Sequence, residues 1–262
     1  MTQEASFRDI QVRSSEIVIR KIGVKDLWQS LQEGYDDFIA KPSFGVFLVV
    51  IYPLFALLLT LSGDHLVYLA FPMVAGLTFL GPVVSVALCE MSRRRERGLK
   101  LSWSMAFDFI HTHSFAPILA LSIFMMLLYI AWVYSAQSLY FGRFGTDPPA
   151  SIANFLAQLV TTQRGIALIV YGNSVGFIFA FTAFSFSVVA FPLLLDRPTT
   201  CVTAVSTSVR AVLSNPLVMA LWAVMVVMLL ALGAILFLVG LALVLPILGH
   251  ATWHLYRKVV VA

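Results

Sequence analysis

A chain of 262 residues in which 60% of side chains are hydrophobic and only 11% charged cannot keep a water-facing surface, because soluble domains carry about 25% charged residues. Its net charge of +4 comes without aromatic residues interleaved among the basic ones, which argues against nucleic acid as a partner. Lipid is the expected solvent. The long unbroken apolar runs call for helices that close their own backbone hydrogen bonds, not for a barrel.

Residues 1–25 are polar and carry acids as well as bases, unlike a signal peptide, so a cytoplasmic N-terminal tail is expected. Residues 26–258 then form one transmembrane domain. Its apolar windows are Phe44–Leu61, Leu66–Met91, Phe115–Phe141, Ile166–Leu195, Leu217–Phe237 and Gly240–Tyr256. The turn Ser62-Gly63-Asp64-His65 is short enough to make the first two spans a hairpin. From Leu217 to Gly249 the chain has no charge over 33 residues. That is more than the roughly 20 residues one crossing needs, so this run is read as two spans.

A cytoplasmic stretch with helical apolar spacing precedes each pair of spans. The first is Leu27, Trp28, Leu31, Tyr35, Phe38, Ile39; the second Leu99, Trp103, Phe107, Ile110; the third Val202, Val205, Val209, Val212, Leu213. Spacings of three and four mark one apolar face. Breaks follow at Lys41-Pro42, at His113-Ser114 before Pro117, and at Asn215-Pro216, and Pro82, Pro192 and Pro246 recur in the second span of each pair. The expected architecture is all-α: a polytopic bundle of six transmembrane helices in three hairpins, about 26–98, 99–197 and 198–258. Each hairpin follows a cytoplasmic interfacial helix lying flat in the inner leaflet with its aromatics down.

On the outer side, Asp147-Pro148-Pro149 reads as a helix start with Asp147 as cap. Ile152, Phe155, Leu156, Leu159 and Val160 share a face, and Gly165 is a stop. A packed connector is expected. With the N-terminus inside, fifteen of the seventeen basic residues fall on the cytoplasmic side and only Arg143 and Arg164 outside. This sets both termini in the cytoplasm and turns the basic surface toward anionic inner-leaflet lipids.

Ionisable residues gather at the inner ends of the spans, and the candidate functional cluster is Glu90, Arg94, Asp196, Arg197, His250 and His254. Glu90 and His254 each follow a proline by eight residues and would be equivalent positions in a repeat. His250 and His254 share one helix face and could hold a metal or haem, with Glu90, His111 or His113 as third ligand; interfacial hydrogen bonding is the plainer reading. No cofactor is expected. Cys89 and Cys201 have no metal or disulfide spacing. Gly172-Asn173-Ser174-Val175-Gly176 permits close helix approach, with Asn173 bonding across helices or meeting water. No phosphate loop, nucleotide fingerprint or catalytic triad appears.

Several runs resemble a family of predicted integral membrane proteins, mainly proteobacterial, catalogued as a domain of unknown function. They are Ile19–Ile22, Gly34–Phe38, Leu80-Gly81-Pro82, Glu90–Arg94, Pro192–Arg197, Thr207–Pro216 and Leu243–Arg257. The likeness covers about residues 17–258. It implies a bacterial inner-membrane protein and no mechanism. The residues themselves point to a non-enzymatic protein that transports a small solute or lipid. The alternatives are a scaffold or assembly factor that binds a partner through its amphipathic helices, and a haem or metal protein built on His250 and His254.

Overall fold

The computed structural model describes residues 17–42, 67–102, 105–147, 149, 151–235 and 239–261. The expected first span, Phe44–Leu61, and its hairpin turn lie outside the described residues, as do Trp103 and Pro148. In chain order come β1 (Val18–Ile19), α1 (Val24–Ala40), a 3-10 turn (Val67–Leu69), α2 (Ala70–Gly76), a 3-10 turn (Leu77–Leu80) and α3 (Gly81–Glu96). A 3-10 segment (Met105–His111), α4 (Phe115–Phe144), α5 (Ile152–Thr161), α6 (Gln163–Ser187) and α7 (Ala190–Asp196) follow. The chain ends in α8 (Cys201–Ser214), α9 (Pro216–Ile235), α10 (Val239–Val259) and β2 (Val260–Val261).

Among the described residues four stretches are long and apolar enough to cross a membrane: Phe71–Glu96, Phe115–Phe144, Gln163–Asp196 and Pro216–Ile235. Two of them are not continuous α-helices. The first passes through the 3-10 turn before α3, and the third is interrupted between α6 and α7. Pro82, Pro192 and Pro216 stand in the first turns of α3, α7 and α9, where a missing N–H leaves no helical bond unmade. Pro246 differs, because α10 runs straight through it. The matching distances from Pro82 to Arg93 and from Pro246 to Arg257 therefore do not mark the same backbone break.

The chain divides into two compact units. One holds the described parts of 1–49, 82–122 and 184–262, the other those of 50–81 and 123–183. In the first unit α1 runs antiparallel along the C-terminal half of α10. Contact is close at Gly34, where a Cβ would sit 2.5 Å from the Ala251 nitrogen. The two termini of the unit are joined by β1 and β2, which pair antiparallel with Val18 opposite Val261 and Ile19 opposite Val260. The Arg20 N–H continues the ladder to the Val259 carbonyl at 2.8 Å. Asn215, at the end of α8, clasps the same segment. Its Oδ1 accepts from Ile22 N at 3.0 Å and its Nδ2 donates to the Arg20 and Ala211 carbonyls at 3.1 and 3.2 Å. On the other side α3 meets α10 at Gly249, whose carbonyl accepts from Cys89 Sγ at 3.5 Å.

The apolar arc of α1 is wider than a single contact face. At about 100° per residue, Leu27, Trp28, Leu31, Tyr35, Phe38 and Ile39 spread over roughly 120°. Only the Leu27 and Phe38 side is buried against the protein, together with Ser30, Gly34 and Asp37; Trp28, Tyr35 and Ile39 point outward. In α8 the packed residues are Ala204, Thr207, Ser208, Ala211 and Val212, while Val202 and Leu213 are exposed. Small residues make this contact because they let the backbones approach closely. The second expected amphipathic helix is a 3-10 segment with Phe107 and Ile110 exposed.

The second unit is organised by aromatic rings. Tyr68 stacks on Tyr140 at 3.9 Å between centroids, and Tyr140 meets Phe155 edge-on. Trp132 Nε1 donates to the Pro72 carbonyl at 2.7 Å, so a polar tip is satisfied inside an apolar layer. The helix expected near Asp147 begins later: α5 is capped by Ser151, whose side chain accepts from Asn154 N. A cap must sit immediately before the first turn, which Asp147 does not. Gly165 does not stop a helix either. It lies in the first turn of α6, where a Cβ would fall 2.2 Å from the Gln158 carbonyl oxygen. Among the described residues Gly172 has no neighbour within 4 Å of such a Cβ, while Gly176 faces the Trp132 ring. Asn173 bonds the Ile169 carbonyl of its own helix at 2.8 Å and no neighbouring helix among the described residues.

Candidate functional site

The polar residues of the first unit assemble where α1, α3 and α10 meet. α1 offers Glu33 and Asp37 four residues apart, and α10 offers His250 and His254 at the same spacing, so each pair projects from one face of its helix. Antiparallel packing then sets carboxylates against imidazoles. His254 Nε2 is hydrogen-bonded to Asp37 Oδ2 at 2.8 Å, and His254 Nδ1 lies 3.3 Å from Glu33 Oε2. His250 Nδ1 bonds Ser92 Oγ at 2.8 Å and is 4.0 Å from Asp37 Oδ2. His250 Nε2 is buried and meets the strict hydrogen-bond geometry with no partner among the described residues. The last turn of α3 adds Arg95, which donates to Asp37 Oδ1 at 2.5 Å, and Lys258 reaches Glu33 at 2.5 Å. An open cleft of about 430 Å³ is lined by Glu33, Asp37, Ser92, Arg95, Glu96, His254, Arg257 and Lys258.

Burial alone would raise the pKa of Asp37. Hydrogen bonds from His254 and Ser92, the charge on His254 and the Arg95 guanidinium outweigh it and bring the carboxyl down from 3.8 to about 2. The ionised form is thus favoured in the folded state. Its contribution is complete above the unfolded value of 3.8 and disappears as the pH falls toward 2. The lowering is worth about 2 kcal/mol. Denaturant titrations of the detergent-solubilised protein should therefore lose about 2 kcal/mol between roughly pH 5 and pH 2 more than the Asp37→Asn variant loses. Parallel curves for the two proteins would show that Asp37 is not held this way.

Two further nodes flank this cleft. Glu90 is almost fully buried and accepts from Arg93 Nε at 2.7 Å and Arg94 Nε at 2.9 Å. Arg93 also donates to the Leu195 carbonyl at 3.0 Å, tying α3 to α7, and Arg94 to Asp108 at 2.7 Å. Asp196 receives the Tyr256 hydroxyl at 2.8 Å, with Arg97, Arg197 and Arg257 at 3.2, 3.7 and 3.5 Å. Arg257 joins this node to Glu96, 3.0 Å away, which also accepts from Trp253 Nε1 at 2.9 Å.

The six residues singled out in the sequence therefore lie in one belt but not in one cluster. Glu90 and Arg94 form one node, Asp196 and Arg197 a second, and His250 and His254 a third. Glu90 bonds within its own helix, whereas His254 bonds to α1, so the two are not equivalent positions. The residues that complete the histidine node, Glu33, Asp37, Ser92 and Arg95, were missed. The signal for them was the i, i+4 carboxylate pair of α1 facing an i, i+4 histidine pair. The arginines read as lipid anchors also have protein partners: Arg93, Arg94, Arg95, Arg97 and Arg257, like Lys258, each meet a carboxylate. Both nitrogens of His254 face carboxylates, and His111 and His113 are exposed. Among the described residues no group of three His, Cys, Asp or Glu side chains is arranged to hold a metal ion.

Residues 70–196 match the family described as "Predicted integral membrane protein (DUF2189)". The match is shorter than the likeness expected over residues 17–258. It takes in Leu80-Gly81-Pro82, Glu90–Arg94 and Pro192–Asp196, stops one residue short of Arg197, and leaves α1, α8, α9 and α10 outside. No curated protein and no solved structure matches the chain.

Proposed function

Starting from a chain whose residues 70–196 belong to the DUF2189 family of integral membrane proteins, we propose that it is a non-enzymatic transporter of a small polar solute. The cleft between α1, α3 and α10 is its mouth. One observation carries this reading: an open cleft at the ends of membrane helices is lined almost entirely by ionisable side chains, and buried His250 lies behind it. Ionisable groups gathered around a cleft at helix ends suit the entrance of a solute or proton pathway. The interrupted stretches before α3 and α7 fit this role, since broken helices are a transporter habit.

The same reading places the protein in a bacterial inner membrane with six spans in three hairpins and both termini in the cytoplasm. Pairing of β1 with β2 supports an even number of crossings, because two strands cannot hydrogen-bond across about 30 Å of hydrocarbon. The basic residues of α3 and α10 meeting in one belt supports a single cytoplasmic side.

The test is electrical. Proteoliposomes adsorbed on a solid-supported membrane are challenged with amino acids, organic acids, amines and inorganic phosphate. A transient current is expected for at least one class, and it should be lost in Asp37→Asn although that variant stays folded by circular dichroism. If no solute gives a current that depends on Asp37, transport is wrong and the scaffold reading takes its place.

A further inference from the structure

We propose that the outward face of α1 is a lipid-contact surface embedded at the boundary between headgroups and acyl chains of one leaflet. α1 lies outside the matched family segment, so nothing in that match places it at a membrane. With about 100° between successive residues, the helix divides into three sectors. Leu27, Ser30, Gly34, Asp37 and Phe38 occupy an arc of roughly 100° and are buried. Next to it, within roughly 60°, come Val24, Trp28, Tyr35 and Ile39, each about half exposed or more. Beyond these, within another arc of roughly 60°, are exposed Lys25, Gln29, Gln32 and Asp36.

A helix that only shielded the protein from water would need two sectors, one buried and one polar. A helix immersed on every free side would have no polar sector. Three sectors are what a helix has when protein, lipid and water each meet one side of it. The residue types agree, since Trp and Tyr favour the headgroup level.

Continuity with neighbouring apolar surface points to lipid as the occupant, not a protein groove. The Ile22 N–H bonds Asn215, which brings the start of α1 to the junction of α8 and α9. There Leu213 and Leu217 are 66% and 85% exposed, and α9 is itself long and apolar enough to cross a membrane. Exposed Arg20, Lys21 and Lys25 stand at the same end of α1, which suits anionic headgroups.

The test places an environment-sensitive NBD label at single cysteines in a Cys201→Ala background, with buried Cys89 retained. Trp28→Cys and Tyr35→Cys probe the apolar sector and Gln29→Cys the polar one. The full chain is held in nanodiscs of phosphatidylethanolamine and phosphatidylglycerol. Labels at positions 28 and 35 should be quenched several-fold more strongly by doxyl-labelled lipid than by iodide, and the label at 29 should show the reverse. Equal iodide quenching at all three positions would overturn the proposal by showing that water covers this face. Shielding of positions 28 and 35 from both quenchers, with disulfide-linked dimers of Trp28→Cys chains, would overturn it in favour of a second copy. Shielding without such dimers would overturn it in favour of another protein surface. Folding of each variant is checked by monodisperse elution, and Leu31→Cys supplies a replacement site at the edge of the apolar sector.

Discussion

Glu90→Ala is expected to cost about 3–5 kcal/mol of stability, the largest loss of any single substitution in the polar belt. Glu90 is 1% exposed and is the only carboxylate bonded to Arg93 among the described residues, while Arg94 has Asp108 as well. Truncation leaves two cations without their shared counter-charge in a poorly solvated place. The loss of a buried partner is far costlier than the net worth of the pair. Arg93 would also lose the orientation that lets it reach the Leu195 carbonyl, so the contact of α3 with α7 should loosen. Urea or SDS unfolding of the purified protein measures the first effect. A double-mutant cycle with Arg93→Ala measures the second. A change below about 1 kcal/mol would put Arg93 and Arg94 in the class of solvated surface pairs and remove the structural role assigned to Glu90.

Asn215→Ala should be nearly as damaging, at about 2–3 kcal/mol. One buried side chain satisfies the Ile22 N–H and the Arg20 and Ala211 carbonyls. Alanine would orphan the first two, which have no helix to fall back on. The damage should be local before it is global. β1 depends on this clasp and on its short pairing with β2, so tryptic cleavage at Arg20 and Lys21 should accelerate well before the bundle unfolds. Asn215→Asp keeps the acceptor for Ile22 and loses the donors, so it should fall between the two. Unchanged cleavage in Asn215→Ala would mean that the β1–β2 pair holds the segment unaided.

The helical class and the long apolar stretches were legible in the chain. A charge-free run such as Leu217–Phe237 can be solvated only by lipid, and α9 occupies Pro216–Ile235. The start at Pro216 was legible too, because a residue without an N–H is tolerated where a helix has no bond to make; Pro82 and Pro192 were expected within their spans and instead stand in the first turns of α3 and α7. The cap of α5 was misread, because Asp147 and Ser151 both satisfy the chemistry and only the path of the backbone chooses between them. The candidate site was half legible. His250 and His254 were visible as a pair on one face, but their partners on α1 are more than two hundred residues away.

Sequence alone determined the solvent of this protein, its helical class and the gathering of charge at the ends of its apolar runs, since each follows from composition and local periodicity. Tertiary structure decided which carboxylate meets which cation, and which half of the wide apolar arc on α1 turns outward. Local periodicity places a side chain on a face of its own helix. Only the close approach of Gly34 to Ala251, a contact between the two ends of the chain, determines what that face meets.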